Sequence, residues 1–414
     1  VTNRFAFGLS RDVWLVQAGI FLNALGYGAV LPFEVIYLHD GRGFSLGVAG
    51  LVLGLITGVA VVIAPLVGPL IDRVGARVTA AGGGIALAAG YAGLAFAQTP
   101  AQAFVAAALA GAGNGALNPS QSTLLTVLAP AELRHRATAV SRVAANAGMG
   151  IGGALGGFVA LYGLKGYIVL FLVNAITYLA YVAVLVAVVR REARPEPVVG
   201  GYRLVVRDRA FVQLALTNVA MIAVGWGVFS FLLPPYAKSE IGIDARLIGL
   251  LLLANAATVV VAQVPVARLA EGRRRVVLIT AAASLFVGAC LLVVAAGVNH
   301  GGAYAALIAA VVAVGVGECF HTTALMPLVA DLAPAGLRGR YMAVMGLSWW
   351  VGLALAPTLG AQLLSVSPRA LFLTAGAVVF AAGASSLTLE RRLPETARLT
   401  PRPRGAAAAE AATR

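Results

Sequence analysis

Twelve apolar runs recur along this chain, at roughly residues 13 to 38, 46 to 70, 77 to 97, 101 to 128, 137 to 163, 167 to 189, 210 to 235, 246 to 270, 275 to 298, 302 to 331, 341 to 364 and 369 to 389. Each is long enough to span a bilayer, whose hydrocarbon core of about 30 Å takes about 20 residues of helix. Only helices and closed barrels satisfy every backbone polar group in lipid, and runs this long without period-2 alternation are helices. Composition agrees, because 11% of the 414 residues are charged, against about 25% in soluble domains, too few to clothe a core in a hydrated shell.

The formal net charge of +14 admits either a nucleic-acid binder or a membrane protein with a biased surface. The positions of the cations decide between them. With the segment before the first run placed inside, 25 of the 30 Lys and Arg fall on cytoplasmic turns and only Arg42, Lys165, Lys238, Arg246 and Arg369 fall outside. Cytoplasmic loops hold the excess of Lys and Arg, so a multi-pass protein with both termini cytoplasmic is expected, and no nucleic-acid partner. The excess of Arg over Lys, 28 to 2, with abundant Ala, Gly and Val, points to a bacterial source and hence the cytoplasmic membrane. Arg4 and Arg11 precede a first run too long for a signal-peptide core, so that run is expected to remain as a span.

Several chemistries are excluded on the same page. Cys290 and Cys319 both lie inside apolar runs, so neither a disulfide framework nor a metal cluster is expected. The two lysines, Lys165 and Lys238, follow Leu164 and Ala237, so the Gly-Lys-Ser/Thr core of a phosphate-binding loop is missing. An enzyme, a metal site and a cofactor are therefore not expected.

An internal repeat organises the chain. Leu128-Ala-Pro-Ala-Glu-Leu-Arg-His-Arg136 followed by Ala139-Val140 reappears as Leu332-Ala-Pro-Ala-Gly-Leu-Arg-Gly-Arg340 followed by Ala343-Val344, 204 residues on. Gly26-Tyr-Gly28 and Tyr37 are echoed by Gly225-Trp-Gly227 and Tyr236 at an offset of 199. Two similar halves in the same orientation are the parallel-repeat architecture of transporters that rock around a midplane site. The expected fold is all-α, with twelve transmembrane helices in two pseudo-symmetric six-helix bundles. Residues 1–190 and 210–390 form the bundles, 191–209 a cytoplasmic linker and 391–414 a disordered cytoplasmic tail.

Between the second and third runs stands Gly68-Pro-Leu-Ile-Asp72-Arg73-Val-Gly75-Ala-Arg77. It matches, at every fixed position, the G-x-L-x-D-R-x-G-x-[RK] loop of the major facilitator superfamily, and the chain resembles that family's twelve-helix drug:proton antiporters over essentially residues 12 to 390. The resemblance implies that Gly68, Asp72, Arg73, Gly75 and Arg77 form a conformational latch, with Asp72 set against the start of the eleventh helix near Gly339 to Tyr341. In the fifth run Gly148, Gly152, Gly153, Gly156 and Gly157 resemble the antiporter motif g-x-x-x-G-P-x-x-G-G, with Gly153 in place of proline. Spacing of four puts Gly148, Gly152 and Gly156 on one stripe suited to close helix contact. A third motif departs from the family, because the helix 4 arginine tied to proton coupling is Ala107 here.

Ionisable groups inside hydrocarbon cost about 2.5 to 3.5 kcal/mol or more, which makes each a functional candidate. Glu318 sits mid-span in the tenth run with His321 and Thr322 at i+3 and i+4, on the same helix face. The 204-residue offset sets Glu318 against Asn114 and Thr322 against Asn118, and Asn114, Asn118 and Gln121 share a stripe. Two matching polar faces toward a common axis are where a cavity is expected. Glu318, tuned by His321, is the first candidate proton carrier. Glu34, two residues after Pro32, is a further proton-coupling candidate, which either faces substrate or gates a cavity, or else reaches the headgroup region. Asn23, Tyr27, Asn146, Trp226 and Trp350 are further cavity candidates, each also readable as interhelical packing. The expected function is proton-driven efflux of hydrophobic or amphipathic small molecules by a monomer, with small-molecule substrate, protons and bilayer as partners. A metabolite symporter or uniporter of the same fold, and a non-transporting receptor or assembly partner, are the alternatives.

Overall fold

A computed structural model describes residues 9–128, 133–188, 203–334 and 337–400. The side chains of Gly68, Asp72 and Gly339, among others, lie outside the described set. Among the described residues the structure is helical with no strand, and one isolated bridge joins Arg274 to Leu399. Twelve long helices follow one another: α1 (Arg11–Gly41), α2 (Leu46–Val74), α3 (Ala76–Phe96), α4 (Pro100–Leu128), α5 (Arg134–Ala160), α6 (Leu164–Val188), α7 (Arg209–Ser239), α8 (Ala245–Ala270), α9 (Arg275–Ala296), α10 (Ala303–Leu332), α11 (Arg338–Val366) and α12 (Pro368–Leu389). Among the described residues eleven are long and apolar enough to cross a membrane; α4, which carries Asn114, Asn118 and Gln121, stands outside that set.

The repeat read from sequence is a repeat of helix boundaries. α4 and α10 end at Leu128 and Leu332, and α5 and α11 begin at Arg134 and Arg338, both at the 204-residue offset. Polar caps start several helices, as expected where the first N–H groups lack intrahelical partners. Ser45 accepts from Val48 N at the head of α2, and Asp208 accepts from Ala210 N and Phe211 N at the head of α7.

The chain divides into two compact units. One is built from Val1–Val199, Gly227–Ala257 and Leu353–Pro368, the other from Gly200–Trp226, Thr258–Gly352 and Arg369–Arg414. In the first unit, α1 to α6 therefore pack with the far part of α7, the start of α8 and the end of α11. Small residues make these contacts. A Cβ added to Gly148, Gly152 or Gly156 would run into the α1 backbone at Phe21, Leu25 and Ala29, while one on Gly153 or Gly157 would strike Leu252, or Ala245 and Arg246, of α8. The glycine stripe of α5 is thus double, with one face for α1 and the other for α8. Gly50 and Gly54 of α2 meet Pro357 and Thr358 of α11 in the same way.

In the second unit Phe211, Leu214, Ile279, Leu328 and Tyr341 anchor the core. The fold runs beyond residue 390, where disorder is expected from the sequence. Leu393 and Ala397 enter this core, and Thr400 hydrogen-bonds both to the Ala270 carbonyl and to Arg273. Two apolar side chains at a four-residue spacing and these backbone contacts hold the segment against the core; residues 401–414 lie outside the described set.

Overpacking the α1–α5 contact is expected to cost about 1–3 kcal/mol or more. Gly152→Leu should therefore lose folded protein in fluorescence-detected size exclusion, whereas Gly82→Ala, which meets open space, should match the parent. Equal folded yields for both would contradict the packing described.

Candidate functional site

The site begins with a break in α1. The helix is regular over Arg11–Val30, tightens to a 3-10 turn at Leu31–Phe33, recovers over Glu34–Ile36 and widens to a π turn at Tyr37–Gly41. Pro32 lies in the tight turn, where its missing N–H and fixed φ break the regular ladder. Beyond the break Glu34 is 2% exposed, buried inside the first unit. The Tyr91 hydroxyl of α3 donates to its Oε1 at 3.1 Å.

Aromatic rings enclose this carboxyl. Tyr91 stacks on Tyr178 of α6 with ring centroids 5.8 Å apart, meets Tyr27 edge-on at 6.4 Å, and packs against Phe171 at 6.1 Å. Asn174 lies between Phe171 and Tyr178 on the same α6 stripe, fully buried, and neither Nδ2 nor Oδ1 finds a hydrogen-bond partner among the described residues. A buried amide left unpaired costs about 1–3 kcal/mol. Among the described residues the carboxyl thus accepts one long hydroxyl bond, and the α6 stripe that packs on Tyr91 also carries an amide with donor and acceptor unengaged, chemistry suited to a proton or a polar substrate group.

One turn further on, α1 is tied to its neighbours. The Tyr37 hydroxyl reaches the carbonyls of Leu94 and Ala95 at the end of α3, and Arg42 Nε donates back to Tyr37 at 2.7 Å. A cation at a helix C-terminus complements its dipole. Asp40 accepts from Lys238 Nζ of α7 at 2.7 Å, and the same ammonium lies 3.3 Å from the Tyr167 hydroxyl. The Asp40–Lys238 pair is half-exposed, a class of contact worth about 0–1 kcal/mol. Gln362 of α11 donates to the Gly47 carbonyl at the head of α2. At this end, then, segments from the two sequence halves close on one another inside the first unit.

The remaining candidates distribute as follows. Asn118 Nδ2 bonds back to Asn114 along α4, and Gln121 accepts from Tyr181 of α6 at 2.9 Å. Asn23 and Tyr27 are half-buried on α1, and Asn146 donates to the Arg142 carbonyl. In the second unit His321 is buried with Nε2 unpartnered among the described residues, whereas Glu318 is half-buried and Thr322 donates to the Glu318 carbonyl. Trp226 packs on Trp349 with centroids 6.1 Å apart, and Trp350 is half-buried. Of the loop motif, Gly75 turns the chain between α2 and α3 at φ 90°, Arg73 is exposed, and Arg77 donates to the Val186 carbonyl at the end of α6. The side chains of Gly68 and Asp72 lie outside the described residues. Ala107, in the expected arginine slot, is fully buried.

Tyr91, Tyr178, Asn174, Asp40 and Lys238 were not singled out from sequence. Helix rotation hides the first three. Lys238 did carry a signal, as one of two lysines and one of five cations expected on its side.

Comparison with known proteins agrees with this architecture. The family described as Major Facilitator Superfamily matches residues 18–224 and again 215–413. A relative named multidrug resistance protein MdtH, from Aeromonas hydrophila subsp. hydrophila, is 26% identical over 355 residues, covering 82% of this chain and 86% of that protein. YttB of Bacillus subtilis (strain 168), named an uncharacterized MFS-type transporter, is 26% identical over 398 residues, covering 93% and 96%. Among solved structures, a peptide transporter POT in complex with sulfate superposes with a TM-score of 0.76 at 17% identity, over 95% of this chain and 96% of that one. A bacterial homolog of the human lysosomal transporter Spinster gives a TM-score of 0.71 at 14% identity, over 94% and 98%. At these identities the structures speak for the fold alone.

Replacing Asn174 by leucine removes the unpaired amide at nearly constant volume. Asn174→Leu is expected to raise thermal stability, by about 1–3 kcal/mol. A lower melting temperature in the purified variant would show that the amide is engaged in the folded protein.

Proposed function

The chain belongs to the major facilitator superfamily, and from that premise we propose that it exports hydrophobic or amphipathic small molecules in exchange for protons. It is a multi-pass membrane transporter with a small-molecule substrate, of a family and fold that are those of transporters rather than enzymes. Export and proton coupling are the step beyond. The observation that carries them is Glu34, a buried carboxyl bonded to Tyr91 in an aromatic cage at the broken part of α1. A carboxyl kept out of water tends toward its neutral form and gives up its proton when water or a cation reaches it. Such a group is a carrier if the cage alternates between closed and open.

The end of α1 supplies the means. Asp40–Lys238 and the α2–α11 and α5–α8 glycine contacts join segments of the two halves. The ion pair is weak enough to break each cycle, and glycine packing permits rolling without the penalty of interlocked large side chains. Opening here would bring water toward Glu34. Glu318 and His321 of α10 form a second titratable station, with Glu318 the half-buried member, and Asn114, Asn118 and Thr322 offer polar contacts to substrate. The Gly68–Arg77 loop acts as the latch at the opposite end, facing the cytoplasm of a bacterial cell in a monomer with both termini inside. Residues 1–190 and 210–390 are the rocking halves. The relatives named multidrug resistance proteins support the efflux direction. Ala107, in the slot where the antiporters carry an arginine, favours a second reading, a symporter or uniporter of the same fold.

Inverted membrane vesicles loaded by a pH gradient test the proposal with tetraphenylphosphonium and a neutral hydrophobic dye. Glu34→Gln is expected to cut gradient-driven uptake at least tenfold while the protein remains folded, and Glu318→Gln to impair it. Unchanged uptake and proton flux in both variants would overturn the assignment.

A further inference from the structure

A groove of about 480 Å³ opens in the second unit between the near end of α7 and the far end of α12. Its lining is graded. Arg209 and Arg392 stand at one end with Val206; Val212, Gln213 and Ser385 lie next; and Leu216, Ala220, Val378 and Ala382, with Thr217 among them, line the remainder. From Arg209 to Ala220, α7 rises about 16 Å, close to half of a hydrocarbon core of about 30 Å. The groove thus has the depth of one leaflet, with cations where headgroups lie and apolar walls where acyl chains lie.

The rim is held in place. Arg392 Nη1 donates to Gln213 Oε1 at 3.0 Å, and Gln213 Nε2 donates to the Ser385 carbonyl at 2.7 Å, to Ser385 Oγ at 3.0 Å and to Thr388 Oγ1 at 2.9 Å. That bond occupies one of the five N–H donors of a guanidinium. No carboxylate lines the groove among the described residues. The nearest in sequence, Asp208, is committed to Ala210 N, Phe211 N and the Tyr341 hydroxyl. The flanking segments 189–202 and 401–414 carry six arginines against three glutamates, so by charge they are poor occupants of a cationic rim.

We propose that this groove binds an anionic phospholipid, with its phosphate between Arg209 and Arg392 and an acyl chain along Leu216, Ala220, Val378 and Ala382. The shared chemistry is a phosphate monoanion, which guanidinium groups hold through charge-assisted paired hydrogen bonds. An apolar wall running one leaflet deep selects the lipid over free phosphate. Two cations near an anionic headgroup give about a tenfold preference or more over a zwitterionic lipid.

The test uses the full chain purified in detergent and stripped of lipid, with retained lipid counted by native mass spectrometry. Dioleoyl-phosphatidylglycerol should be retained at about tenfold lower concentration than dioleoyl-phosphatidylcholine. The double variant R209Q/R392Q should lose that discrimination, and R209K/R392K should keep most of it. Val378→Trp fills the exposed apolar wall, leaves both arginines, and should lose phosphatidylglycerol retention with an unchanged melting curve. Equal retention of the two lipids by the parent overturns the proposal, as does wild-type retention by R209Q/R392Q. Displacement of phosphatidylglycerol by equimolar inorganic phosphate overturns it too, by marking a site for free phosphate. If the Gln variants do not fold, the two-lipid comparison on the parent and on Val378→Trp decides alone.

Discussion

A bilayer offers no water to a buried carboxyl, and the hydrogen bond from Tyr91 to Glu34 is this molecule's answer to that constraint. Much of the first unit is arranged around it. Pro32 interrupts the α1 ladder and leads into the segment that bears Glu34. The glycines of α5 bring α1 close, and Tyr27, Tyr178 and Phe171 complete a cage that hydrocarbon alone would not need. Without the Tyr91 bond the carboxyl would face apolar surroundings unaided; without the carboxyl, the break in α1 and the clustered rings would have little reason to coincide.

The two halves share architecture but not polar content. α1 and α7 are both distorted, yet the position 199 residues after Glu34 is Leu233, also buried, and α7 places its π turn over Ile222–Leu232. The second half has its own buried histidine and a half-buried glutamate on α10. Asymmetry of this kind is expected where a repeat supplies a scaffold and individual side chains supply function. The contacts at the Asp40 end divide the work similarly: glycine packing gives closeness without interlocking, and a half-exposed ion pair adds a small bias that a solute or a voltage can outweigh.

What was legible in the sequence follows from which signals are one-dimensional. Span positions, the 204-residue repeat and the small-residue stripe of α5 all depend on spacing along the chain, and helix boundaries at Leu128, Leu332, Arg134 and Arg338 reproduce that spacing. Glu34 was visible as a charge in an apolar run, but its burial was not, because the 3-10 turn at Leu31–Phe33 changes the rotation that an ideal helix would give. Tyr91, Asn174 and Tyr178 were hidden because helix rotation about the long axis is set by packing on several neighbours at once. Glu318 and His321 looked alike at i and i+3, yet one is half-buried and the other fully buried. The folded segment at Leu393 and Ala397 lies in Pro- and Arg-rich sequence whose composition resembles a free tail, and its two core residues outweigh that composition.

The central claim is that a proton on Glu34 leaves as substrate arrives. Proton release from the detergent-purified protein, followed by a pH indicator in weakly buffered solution on adding tetraphenylphosphonium, tests this without a membrane gradient. The account predicts close to one proton released per bound cation by the parent protein and none by Glu34→Gln. Equal release from both proteins, or proton uptake on binding, would contradict it.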